Sequence, residues 1–267
     1  MTAAATMTPE ARERRRIRRP VLAVTAGAWL ATIVIAVAAA GPTGHHPSGV
    51  AASAHTGHDV DVVVTGAATH AVHEWGLAFL GSWLLMLAAM MTPLLIPVLR
   101  HVHARSLPRR RARAVALVVA AYAAAWTAGG VVLTAVATAL RAVAPVGGAA
   151  IVVGLVVAVA WQLSPAKQRC LNRCHAHPAV RAFGHAADLA ALRTGAQHAL
   201  WCFGSCWALM LLPLLVTTSH VLAMVPVTLW MWAERLDRPT RPSWRGRLPT
   251  RAARAVGFRA RSMLPSV

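Results

Sequence analysis

Long apolar runs alternate with short, strongly basic clusters along this chain. The runs near Val21–Ala40, Trp75–Leu99, Ala114–Leu140, Val146–Leu163, Leu200–Val216 and Ser219–Ala233 each read as a helix. A run of about 20 residues, rising about 1.5 Å per residue, matches the roughly 30 Å hydrocarbon core of a bilayer. The last two runs follow one another almost without interruption, too long together for one crossing. Pro213 and the polar Thr217, Thr218 and Ser219 supply the break. The pattern predicts an all-α fold, a polytopic membrane helical bundle of about six transmembrane helices.

The basic clusters orient that bundle. The tail 1–20 carries Arg12, Arg14, Arg15, Arg16, Arg18 and Arg19, whereas the segment 41–74 has no Lys or Arg. Arg100, Arg105, Arg109, Arg110, Arg111 and Arg113 lie between the second and third runs, and only Arg141 between the third and fourth. The loop 164–198 and the tail 236–267 are basic again. Positive charge is retained on the cytoplasmic side, so every segment agrees with both termini in the cytoplasm. The organisation that follows is a basic tail 1–20, a first transmembrane helix 21–40, an extracytoplasmic segment 41–74, a membrane core 75–235 and a basic tail 236–267. Both tails read as arms without fixed structure that face anionic lipid. The first run also has features of a secretory signal, a basic start and a small-residue end, but it is longer than the usual signal core.

Composition excludes other classes. Of the 267 residues 57% are hydrophobic and 13% charged, about half the charged share of an ordinary soluble domain. There are 27 basic against 8 acidic residues, a net charge of +19, which invites nucleic acid as a partner. That partner is rejected, because the arginines flank apolar runs and build no continuous basic face. The lipid bilayer is the partner the pattern supports.

In an apolar interior, the residues that packing does not require carry the information. Cys170 and Cys174 share a polar loop with His175 and His177, and Cys202 and Cys206 repeat the same spacing in the fifth run. Side chains four apart on a helix lie on one face, within reach of one ion. On the cytoplasmic side structural disulfides are rare, which leaves metal ligation or transient redox chemistry. Met86 and Met90 in the second run, Met210 four residues after Cys206, and His220 with Met224 in the sixth run continue the same spacing. Thiolate and thioether favour Cu(I), and imidazole accepts copper readily, so copper is the expected metal. Zinc is the alternative at the Cys/His loop, where two thiols and two imidazoles make up a tetrahedral set. Met is also a routine filler of apolar gaps. His45, His46, His55, His58, His70 and His73, with Asp59 and Asp61, form an extracytoplasmic His-rich tract suited to loose metal collection. The pairs Gly129–Gly130 and Gly147–Gly148 read as points of close helix packing.

No phosphate-binding loop, dinucleotide fingerprint, zinc-protease motif or nucleophile elbow is present, so no enzyme class is expected. Two alternatives to metal handling remain: a membrane thiol–disulfide redox protein, and a non-catalytic subunit of a larger membrane complex. Against the first, the Cys spacing is four where redox pairs use three, and no extracytoplasmic Cys receives electrons.

Three blocks carry a family resemblance. Trp83-Leu84-Leu85-Met86-Leu87-Ala88-Ala89-Met90-Met91-Thr92-Pro93 is the first, and the stretch from Trp161 through Gln162, Leu163, Ser164, Pro165 and Lys167 to Cys170-Leu171-Asn172-Arg173-Cys174 the second. Cys202-Phe203-Gly204-Ser205-Cys206-Trp207-Ala208-Leu209-Met210 is the third. Together they resemble a prokaryotic integral-membrane family of predicted metal-binding proteins, a domain of unknown function whose members are often labelled copper chaperones. Ser205 stands where that family usually has a third Cys, and His175 where Arg usually follows the second loop Cys. The resemblance implies a prokaryotic membrane protein that handles copper. With the residues above, the leading expectation is a bacterial cytoplasmic-membrane protein that binds or passes Cu(I) between the His-rich tract and the cytoplasmic thiols, with a soluble metal carrier or a membrane protein as partner.

Overall fold

The computed structural model describes residues 9–39, 60–144, 148–176, 181, 183–216, 220–246, 249–251 and 254. Among them are seven α-helices and no strand: α1 (Pro9–Ala39), α2 (Val60–Arg105), α3 (Arg111–Val143), α4 (Ala149–Leu163), α5 (Pro165–Cys174), α6 (Gly184–Leu215) and α7 (His220–Leu236). A single 3-10 turn, Pro108–Arg110, links α2 to α3.

The helices exist where the apolar runs place them, but several run further than hydropathy alone suggests. α1 starts at Pro9, so the arginines expected in an unstructured arm belong to its first turns. α2 starts at Val60, and the part apolar enough to cross a membrane begins only at Gly76. Residues 60–74, expected in an extended extracytoplasmic segment, are therefore helical. The loop expected at 164–198 is largely helix as well, because α5 fills its first part and α6 begins at Gly184.

Four helices are long and apolar enough to cross a membrane, in α1, α2, α3 and α6. α4 and α5 reach that mark only as a pair, bent by 68°. α7 has 17 residues and falls short of it. Six crossings is therefore more than length and composition establish, and four or five is the number they support. The shortfall has a local cause. Ser164 stops α4 and caps α5, its Oγ accepting the Lys167 backbone N–H at 3.1 Å, and Pro165 takes the first helical position. The expected break at 217–219 lies outside the described residues.

α3 and α6 form the central pair, with α2 and α7 alongside. Their facing stripes follow the helical repeat: Val118, Tyr122, Trp126 and Gly130 on α3, and Ala191, Thr194, Gly195, His198, Cys202 and Cys206 on α6. Gly195 sits against the backbone of Val118, with no room there for a side chain. Gly129 and Gly130 lie under the rings of Phe203 and Trp83, so that pair is a point of close packing as expected. Gly148 is not. It has open space around it and φ +90°, the left-handed backbone that favours glycine, and it starts α4; Gly147 lies outside the described residues.

Candidate functional site

At the Arg-rich end of the bundle the short helix α5 lies on α6, and this sets the two cysteine-bearing helices side by side. Cys170 Sγ rests over Gly204, where an added Cβ would stand 2.7 Å from the sulfur. Cys174 lies within electrostatic range of Cys202 and close to Ser205. All four cysteines are free thiols; Cys174, Cys202 and Cys206 are buried and Cys170 is half-buried. The sites therefore grade from a reachable sulfur to three enclosed ones.

The α6 pair is shaped by hydrogen bonds. Cys206 Sγ donates to the Cys202 carbonyl at 2.8 Å, and Ser205 Oγ donates to the same oxygen at 2.7 Å. Tyr122 Oη donates to Cys202 Sγ at 3.3 Å, and its ring lies 6.0 Å from that of His198. The Arg235 guanidinium, from the end of α7, stands within charge range of Cys202, Cys174, Cys206 and Tyr122.

α5 is held in place from three sides. Lys167 and Glu234 form a short ion pair that joins it to α7, with side chains only 6% and 11% exposed. Gln162 Nε2 donates to the same carboxylate at 3.3 Å. Asn172 exchanges two hydrogen bonds with Thr240, donating to its carbonyl at 2.7 Å and accepting its N–H at 3.2 Å. Trp161 Nε1 donates to the Gly204 carbonyl at 3.0 Å and ties the end of α4 to α6. The chain after α7, expected to be a free arm, is thus attached to the cysteine helix.

Met86, Met90, Met210 and Met224 are all buried, the last three completely, in one apolar core with Cys174, Cys202 and Cys206. Met91 and Met231 belong to the same core. The four-residue spacing thus does place thioethers and thiols in one interior, drawn from α2, α6 and α7.

The histidines are arranged differently. Both ring nitrogens of His175 face backbone carbonyls, Nδ1 that of Leu171 at 3.0 Å and Nε2 that of Arg235 at 3.3 Å. His220 Nδ1 bonds the Pro213 carbonyl at 2.7 Å. Among the described residues no group of three or more His, Cys, Asp or Glu side chains converges to hold an ion. The tetrahedral Cys/His set that zinc needs is therefore not assembled there. The donor set that does come together, paired thiols among thioethers, suits a soft ion of low coordination number. His177, His45, His46, His55 and His58 lie outside the described residues. His70 and His73 fall on the first turns of α2, and their side chains lie outside the described residues too.

Sequence reasoning missed Tyr122, Arg235 and the Lys167–Glu234 pair. Each left a signal: Tyr122 is the single Tyr and Lys167 the single Lys of the chain, and Glu234-Arg235 ends an apolar run.

Fold and site define a class, an all-helical protein with helices of membrane-crossing length and a sulfur-rich interior at its basic end. The PpoB2 copper chaperone family model matches residues 80–256, well over half of the chain, and the chain belongs to that family. The match takes in all four cysteines, the buried methionines and Arg235. No curated protein and no solved structure matches the chain.

Proposed function

We propose that this is a bacterial cytoplasmic-membrane protein, with both termini in the cytoplasm, that binds Cu(I) as cargo and passes it along sulfur ligands. In this reading α4 and α7 cross as well, giving six spans. The observation that carries it is the packing of α5 on α6, which seats Cys170 over Gly204 and puts the helix of Cys170 and Cys174 beside that of Cys202 and Cys206, next to a core containing Met86, Met90, Met210 and Met224. Cu(I) is stable with two or three soft ligands, so neighbouring thiol and thioether sites exchange it by adding one ligand before losing another. Cys170, half-buried at the basic end, is the sulfur a soluble carrier reaches; the enclosed pair on α6 receives the ion from it or gives it up. His220 and Met224 continue the route, and the His-rich tract 45–73 collects metal on the far side. Copper chaperone membership supports the choice of metal. No nucleotide is needed, so net flux follows a gradient or a partner.

The test is Cu(I) titration of the detergent-purified protein under reducing conditions, beside a variant with all four cysteines changed to Ser. Tight binding that the quadruple variant lacks is the expected result. Equal binding by both proteins overturns the reading.

A further inference from the structure

A basic residue in the last turn of a helix usually turns outward, where it meets solvent and the negative end of the helix dipole. Arg235, in the last turn of α7, is half-buried instead, with its Nη2 enclosed. Its guanidinium lies within charge range of the thiols of Cys202, Cys174 and Cys206, and its Nη2 is enclosed with no hydrogen-bond partner. The adjacent carboxylate is no help, since Glu234 is committed to Lys167 and Gln162. Among the described residues no carboxylate pairs with Arg235. A guanidinium drawn partly out of water with no described counter-ion is costly, so its position needs an explanation in what lies around it.

We propose that Arg235 is the fixed counter-charge of a metal–thiolate group on Cys202 and Cys206, and that it sets the preference of this pair for a monovalent over a divalent ion. The inference rests on the copper reading above and deepens it. When the pair binds an ion, each thiol gives its proton to water. Two thiolates and Cu(I) then sum to one negative charge, which the guanidinium cancels. Two thiolates and Zn(II) sum to zero, and the guanidinium is left as an uncompensated charge. In an interior of low dielectric the neutral assembly is strongly favoured. Tyr122 completes the arrangement as a neutral donor to Cys202 Sγ, which steadies the thiolate without changing the charge sum.

The experiment measures Cu(I) and Zn(II) affinities of the full-length protein by chelator competition in detergent, for the wild type, Arg235→Gln and Arg235→Lys. Arg235→Gln should lower Cu(I) affinity about 10- to 100-fold, the size of effect a close opposite charge has on an ionised group, with no comparable loss for Zn(II). Arg235→Lys keeps the charge and should keep most of the Cu(I)/Zn(II) ratio. A ratio unchanged in a folded Arg235→Gln protein overturns the inference. So does a collapse of the ratio in Arg235→Lys, which decides the matter if Arg235→Gln does not fold. Wild-type protein that binds no Cu(I) overturns the copper reading itself, a different result from binding that is indifferent to residue 235.

Discussion

α1 and α6 are both long and apolar, yet they are built for different surroundings. In the most apolar stretch of α6 56% of residues are buried, against 17% in α1. α6 buries Thr, His, Cys, Ser, Met and Gly in a stripe that repeats every three to four residues, with polar atoms bonded inside. α1 leaves Leu30, Val34, Ile35 and Val37 at least 60% exposed. In water such a face would be a liability, and in lipid it is the ordinary outside of the bundle. The difference teaches that hydrophobicity marks where this chain would lie, whereas chemistry marks which helix faces inward.

Four tests sharpen that contrast, from the largest effect to the smallest. Changing Cys202 and Cys206 together to Ser should weaken Cu(I) binding by about 100-fold per thiol lost, on the scale per ligand set by the roughly 10–16 kcal/mol of a four-ligand structural zinc site. Chelator competition reads the change, and a loss under tenfold would place the ion elsewhere. Lys167→Met leaves the Glu234 carboxylate buried without its cation and should cost about 3–5 kcal/mol in a denaturant titration. Adding Glu234→Gln should recover most of that loss; no recovery would mean the pair is not what joins α5 to α7. Gly195→Ala drives a methyl group into the Val118 backbone and should destabilise by about 1–3 kcal/mol, because backbone cannot swing aside. Val34→Ala on the open face of α1 should change stability by less than about 0.5 kcal/mol. If thermal unfolding in detergent shows Val34→Ala to be as harmful as Gly195→Ala, the two helices are not different in kind.

The parts that sequence revealed and the parts it hid divide along the range of the interactions. Helix positions follow from runs of apolar residues, and the meeting of Cys202, Cys206 and Met210 on one stripe follows from a four-residue spacing; both are local. The placement of α5 on α6 is not local. It depends on a 68° bend at Ser164 and Pro165, on the bare backbone of Gly204 beneath Cys170, and on partners far along the chain such as Glu234 and Thr240. Hydropathy sees residues 165–174 as a polar loop, since it averages over the two sides of a short amphipathic helix. Arg235 was hidden for the opposite reason. A basic residue at the end of an apolar run is the commonest topology signal there is, and nothing in its spacing distinguishes a side chain that is half-buried. His175 was overvalued because proximity in sequence to Cys174 says nothing about where its ring nitrogens point, and they point at carbonyls.

The double hydrogen bond between Asn172 and Thr240 gives the chain beyond α7 a mechanical role. An asparagine amide presents a donor and an acceptor in the same geometry as a peptide group, so Asn172 holds the tail as a neighbouring strand would. The tail is therefore a strap across the back of the cysteine helix. Shortening the chain before Thr240 would leave every long helix intact while loosening the seat of Cys170.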